Sequence, residues 1–154
     1  MSVLESLAAE EQKLLFPEFS PETAYELGVF ITGRIRERHL PLAVNIDRQG
    51  HCLYHYSPPG TTRNNDRWLK GKTRVVYYFQ HSSYYVSRML KEKGTGLASH
   101  YFLNPDLYRA SGGAFPLNVK GAGLVAVASV SGLPDREDHE FLTETLGDFL
   151  RGRD

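Results

Sequence analysis

The sequence has a single cysteine and no long apolar run. Because Cys52 stands alone, an internal disulfide framework is excluded, and a reducing compartment is favoured. With no second cysteine to resolve it, Cys52 is expected to be a small buried side chain. No apolar segment approaches the roughly 20 residues of a membrane-spanning helix. The amino terminus has three acidic residues in its first 11 and no basic region, unlike a secretory signal, so we expect a cytoplasmic protein.

An excess of charge of either sign is also lacking. The 18 basic residues balance 18 acidic ones, so no overall positive field attracts nucleic acid or a membrane surface. The sequence contains no Ser-His-Asp order, CxxC pair, Walker loop or HExxH motif, which leaves the familiar hydrolase, kinase and zinc-protease classes without support. Whether the protein is an enzyme therefore stays open. At 154 residues the chain suits one domain, and we expect a single domain over 1–154.

Apolar residues that recur at helical spacing predict helices over 3–16, 21–38, 66–93 and the acidic segment after Pro134. Ser20 and Pro21 fit the cap and first position of the second helix, and Gly94 ends the third. The third helix carries more tyrosines than one core face accommodates, so some are expected to cover another surface, such as a subunit contact.

Short apolar runs between turn residues predict strands over 42–47, 51–56, 100–103, 117–120 and 124–131. The last two are joined by a glycine turn at 121–123, and the valine-rich final run is typical of a central strand covered on both faces. These elements predict an α/β sandwich with a mostly antiparallel sheet of about five strands.

Several short motifs, in this order and spacing, carry a resemblance to a known family. They are Pro41-Leu42-Ala43-Val44, Pro59-Gly60-Thr61-Thr62, Asn104-Pro105-Asp106, Gly112-Gly113-Ala114-Phe115-Pro116, and Ser131-Gly132-Leu133-Pro134 with Asp138-His139. Over about residues 20–150 the sequence resembles the heme-degrading-domain family, which includes HbpS-like and GlcG-like proteins, and within it a small cytosolic single-domain branch. The resemblance implies a profilin-like α/β/α sandwich, a homo-oligomer, and heme binding at or near subunit interfaces.

Three positions depart from the pattern of that family. Gly71 stands where this branch usually has arginine, Arg63-Asn64 replaces the usual Pro-Asp, and Ser111 stands where many relatives carry histidine. If that histidine contacts a ligand in the relatives, this chain has lost the contact.

Candidate cofactor-binding residues are Trp68, Lys72, His81, Phe115 and His139. Trp68, with Lys70, Lys72 and Arg74, could form an aromatic and basic patch for heme propionates or another carboxylate; the alternative is a solvated helix flank. Histidine is a common heme ligand, so His81 and His139 are candidates, although a helix histidine bonded to a neighbour explains His81 equally simply. Phe115, in the glycine motif, is expected to wall a pocket or interface.

A carboxylate and an imidazole share one face of the last predicted helix. Asp135 and His139 are four residues apart, and Asp138 lies beside the turn, so the three could bind a divalent metal or act as acid and base. The alternative is that these acids only stabilise the start of the helix, where they also disfavour phosphate.

Three functions remain open. The first is a heme-binding homo-oligomer that assists heme degradation. The second is a non-enzymatic oligomeric binding or adaptor module. The third is metal-dependent small-molecule chemistry at Asp138 and His139.

Overall fold

A five-stranded sheet forms the centre of the computed structural model, which describes residues 1–153. Its strands are β1 Leu15–Phe16, β2 Ala43–Arg48, β3 His51–Tyr56, β4 Ala114–Val119 and β5 Gly123–Ser131. They lie in the order β1-β4-β5-β2-β3, and among them β1 and β4 pair in parallel while the other neighbours pair antiparallel. The mostly antiparallel five-stranded sheet is thus confirmed.

Helices cover both faces of this sheet. They are α1 Val3–Lys13, α2 Pro21–Glu37, α3 Arg63–Phe79, α4 Ser83–Lys93, α5 Leu97–Tyr101 and α6 Asp135–Arg151. The main core lies between the sheet and the pair α2 and α6, while α3 packs on the opposite face. The predicted α/β/α class is therefore confirmed.

Strand β5 is the central strand that its valine-rich sequence predicts. Ala128 and Val130 lie in the core under α2 and α6, whereas Val127 packs with Val76 of α3 on the other face. All four side chains are fully buried. An apolar run buried on both faces needs no alternation with polar residues, which is why the pattern is nearly continuous.

The single helix predicted over 66–93 is wrong, because the helix is interrupted between α3 and α4. Gln80 adopts a left-handed conformation with φ 58°, and the Ser82 hydroxyl accepts a hydrogen bond from the Tyr85 N–H to start α4. The two helices then fold against each other, with Val75 and Val86 in one cluster. Apolar spacing continues across the break and therefore conceals it.

The strand predicted over 100–103 is also wrong, since the chain forms the short helix α5 there. The fifth strand is instead β1, which the sequence pattern assigned to the end of the first helix. Phe16 is fully buried, and its carbonyl accepts a hydrogen bond from the Lys120 N–H. Packing against β4 overrides the helical pattern at this point. Within residues 1–153 no helix is long and apolar enough to cross a membrane.

Candidate functional site

A groove of about 550 Å³ opens between α3 and the β2–β3 hairpin. Its lining residues are Asn45, Asp47, Gln49, Gly50, Cys52, His55, Asp66, Leu69, Lys70, Thr73, Arg74 and Tyr77. A mixture of apolar wall and convergent polar groups in this size range is typical of small-molecule sites. We call this feature the α3–hairpin groove.

A β-bulge in the β2–β3 hairpin brings the side chains of Asn45, Cys52 and His55 together in the groove. In β2 and β3 the register shifts between Ile46 and Asp47, so that Asn45 lies opposite His55 while Asp47 lies opposite Cys52. The extra residue places Cys52 and His55, three apart, on the same side of the strand. The Asn45 amide oxygen lies 3.2 Å from Cys52 Sγ and 3.3 Å from His55 Nδ1.

His55 is oriented by its neighbours. Its Nε2 lies 2.8 Å from the Ser57 hydroxyl and 3.5 Å from Asp66 Oδ1. When Nδ1–H donates to the amide oxygen of Asn45, Nε2 carries the lone pair and accepts from the Ser57 hydroxyl, so a metal bound at Nε2 would take the place of that hydrogen bond. A histidine that binds a metal typically has this arrangement, with its other N–H held by an acceptor. Cys52 is exposed, so the expectation of a buried cysteine is wrong.

On the α3 side of the groove lie two basic side chains, Lys70 and Arg74, and a tyrosine, Tyr77, that joins the helix to the hairpin. Lys70 and Arg74 are one helical turn apart on α3, and Arg74 Nη1 donates to the Leu107 carbonyl at 2.8 Å. The Tyr77 hydroxyl donates to the Asp47 carbonyl at 3.0 Å and accepts from the Gln49 N–H at 2.8 Å. Burial is the main cause that raises the pKa of the Tyr77 phenol, so it stays protonated as a link between helix and hairpin.

Lys72, expected beside Trp68, lies inside the protein. Its Nζ donates to the Val130 carbonyl at 2.6 Å, the Gly112 carbonyl at 3.0 Å and Asp138 Oδ2 at 3.2 Å, and its side chain is 2% exposed. Burial lowers the pKa of Lys72 and raises the pKa of Asp138 to about 6, against the opposing attraction between the two charges. All these contacts are internal, so Lys72 does not face a ligand in this chain.

The proposed metal site at Asp135, Asp138 and His139 is not formed. Asp135 Oδ1 accepts from the Gly112 N–H and, at 3.2 Å, from the Ser111 hydroxyl, while Asp138 pairs with Lys72. His139 points elsewhere, to Glu10 of α1. Across residues 1–153, no three His, Cys, Asp or Glu side chains come together as metal ligands. Asp135 and Asp138 instead accept hydrogen bonds from the backbone N–H groups of Gly112 and Leu133, and no side chain caps the start of α6.

The two histidine candidates lie under α1. His139 is 4% exposed, its Nε2 is 2.9 Å from Glu10 Oε1, and its ring stacks on Tyr84 at 4.9 Å between centroids. His81 Nδ1 is 3.0 Å from Glu11 Oε1, and Glu11 also accepts from the Ser82 N–H. Both imidazoles therefore have carboxylate partners within the chain.

Phe115 and Trp68 occupy opposite faces of the sheet. Phe115 is 1% exposed in the core beneath α6, with its ring 6.2 Å from that of His139. Trp68 projects from α3 and carries the Arg109 guanidinium at 4.6 Å from its ring. Within one chain, the predicted candidates thus do not form a common pocket. Of these, Trp68 and His81 retain partly exposed side chains.

Asn45 and His55 were not among the residues predicted from the sequence. A two-residue turn at 49–50 alone would pair Asn45 with Tyr54, and only the bulge moves His55 into place. Lys70 and Arg74 were predicted to lie beside Trp68 together with Lys72, and the structure separates Lys72 from the other two. Positions four apart share a helix face, whereas Lys72, two residues from each, points to the other side.

Comparison with known proteins identifies the family. The chain belongs to the family described as haem degrading protein HbpS-like, whose model matches residues 19–146. The UPF0303 protein of Streptomyces avermitilis is 42% identical over 144 residues, which cover 94% of this chain and 88% of the relative. The resemblance seen in the sequence motifs is thereby confirmed.

Solved structures share the fold. The crystal structure of Ybr137w protein matches with a TM-score of 0.89 at 27% identity, covering 97% of this chain and 88% of that one. The crystal structure of a PduOC:heme complex matches with a TM-score of 0.69 at 16% identity, covering 84% and 93%. At this lower identity the likeness establishes the fold alone.

Proposed function

We propose that this protein binds heme in the α3–hairpin groove, with His55 as the iron ligand. The observation that carries the proposal is the groove itself, where an oriented imidazole faces two cationic side chains on α3. The family description and the heme complex of a protein with the same fold support heme as the ligand class.

The donor set of the groove fits this group. Histidine nitrogen and cysteine sulfur are both heme-iron ligands, and the groove offers His55 and Cys52. Lys70 and Arg74 supply positive charge for the propionates, with the planar Arg74 suited to a carboxylate. Leu69 contributes an apolar wall. Bound heme would supply an iron centre for ligand binding and redox chemistry, while the chain holds and orients it.

A hemin titration with three variants tests the assignment. We expect saturable Soret changes for the native protein and markedly weaker binding for His55→Ala, which removes the proposed iron ligand. His51→Ala is the matched control, because His51 is an exposed histidine on the same strand outside the groove, and its binding should be unchanged. If His81→Ala abolishes binding and His55→Ala does not, the groove assignment fails. Loss of Soret absorbance after addition of reductant and oxygen tests heme breakdown.

We also propose that the protein self-associates through the outer face of α2. Tyr25 and Val29 lie one turn apart there, Phe30 follows Val29, and the three side chains are 60%, 46% and 36% exposed. Such apolar side chains, gathered on one helix face, favour burial against a second copy. Light scattering should give an oligomer for the native protein and a smaller species for Val29→Lys. A native monomer would refute this role and with it the adaptor alternative.

A further inference from the structure

Helix α1 is held to the domain mainly by polar contacts. Its one fully buried residue is a glutamate, Glu11, and its apolar side chains, such as Leu4 and Leu7, are only partly buried. Burial raises the pKa of the Glu11 carboxyl, against the opposing hydrogen bonds from Ser82 and His81. An apolar seam of the kind that fixes the other long helices is missing from this contact.

The two ends of α1 are attached unequally. Beyond its carboxyl end, Leu14 leaves helical geometry with φ −96° and ψ 62°, and Phe16 is then fixed in the sheet as part of β1. At the other end Met1 is 90% exposed and Val3 is 43% exposed. A rotation of the helix about Leu14 would leave the sheet intact.

The floor beneath α1 consists of aromatic side chains and an imidazole. His139 of α6 stacks on Tyr84 of α4, and Phe115 of β4 lies beside it. The Nε2 atom of His139 meets Glu10 of α1. If α1 turned away, this nitrogen would face outward from a cleft between α4 and α6. A histidine nitrogen in an apolar, aromatic setting is suited to heme iron.

We propose that α1 is a displaceable cover. While α1 is in place, the Glu10 carboxylate pairs with the Nε2 atom of His139; when α1 is displaced, that nitrogen becomes a second heme ligand. The proposal rests on the heme-binding function proposed above but uses a site distinct from the α3–hairpin groove. The family match begins at residue 19, so α1 precedes the part of the chain that the family model describes.

Hydrogen exchange tests the cover without any ligand. In Glu10→Ala, amides of α1 should exchange roughly 2- to 12-fold faster, the factor that corresponds to losing one hydrogen bond, and Glu11→Ala should act in the same direction. Gln12→Ala is the control, since Gln12 is an exposed neighbour on the same helix. Unchanged α1 exchange in both glutamate variants would overturn the proposal.

Hemin stoichiometry tests the second ligand. The double variant Glu10→Ala/Glu11→Ala should bind one more equivalent of hemin than the native protein, and adding His139→Gln should remove it. Glu10→Gln, which keeps a hydrogen-bonding side chain, serves if the double variant does not fold, and it should show the same gain more weakly. No added equivalent in either variant overturns the cover. The two proposals can fail separately. If His55→Ala binds hemin as tightly as the native protein, the groove assignment fails. The cover still stands if the additional equivalent of hemin depends on His139.

Discussion

Replacing Lys72 by methionine tests the buried ion pair directly. The ammonium and the Asp138 carboxylate are 2% and 3% exposed, so the change leaves an uncompensated carboxylate in the interior. Removal of one partner from a buried pair costs about 3–5 kcal/mol. For a domain of this size each kcal/mol lowers the Tm by roughly 2–4 °C, so Lys72→Met should lower it by about 6–20 °C.

The matched control is Lys70→Met, on the same helix but exposed. Its unfolding free energy should stay within about 0.5 kcal/mol of the native value. The double variant Lys72→Met/Asp138→Asn should recover much of the loss, because no buried charge remains and the amide oxygen can still accept from the Leu133 N–H. Urea unfolding of the native protein, Lys72→Met, Asp138→Asn and the double variant measures the cycle, with Lys70→Met as the control outside it. If Lys72→Met is no less stable than Lys70→Met, the interior pairing described here is incorrect.

The remaining predictions concern pH and glycine. The pKa of Asp138 is about 6 in the folded protein and near 4 when unfolded, so this group stabilises the fold most below pH 4 and loses that contribution as pH rises through 6. Urea titrations of the native protein and of Asp138→Asn give the difference between their free energies of unfolding. This difference, native minus variant, should decrease from pH 4 to pH 7, and an increase would contradict a pKa of Asp138 raised by burial. Gly113→Ala should destabilise more than Gly121→Ala: both have positive φ, but only at Gly113 would a Cβ meet the Val130 carbonyl, at 2.5 Å. Gly33→Ala, with open space in α2, should stabilise by roughly 0.4–1 kcal/mol, and loss of stability in thermal unfolding would refute that.

The sheet could be predicted from the sequence because its signals are local. Gly121 and Gly123 have φ of 78° and 81°, the conformation that a glycine turn between strands supplies, and β4 and β5 lie on either side of it. The capping pair Ser20 and Thr23 likewise starts α2 at Pro21 as expected. Each of these features depends on residues close together in the chain.

Features set by distant contacts could not be predicted in the same way. Gln80, a residue without a glycine's freedom, takes the left-handed conformation because α4 must fold back onto α3. The bulge in the β2–β3 hairpin changes which residue lies opposite Asn45, and no local motif announces it. The groove therefore depends on a register that only the assembled sheet defines.

The glycine motif of the family does not lie in the groove. It lies where Gly112 and Gly113 pack closely against Asp135, Lys72 and Asp138, a contact that we call the packing node. At Gly112 a Cβ would meet the Asp135 backbone, and at Gly113 it would lie 2.7 Å from Lys72 Nζ. Close backbone approach at these glycines is what lets Lys72 reach Asp138 across the end of the sheet. Asn45 and His55, in contrast, lie outside the glycine motifs. Substitutions at the node should thus reduce stability, whereas substitutions in the groove should change ligand binding in a protein that still folds.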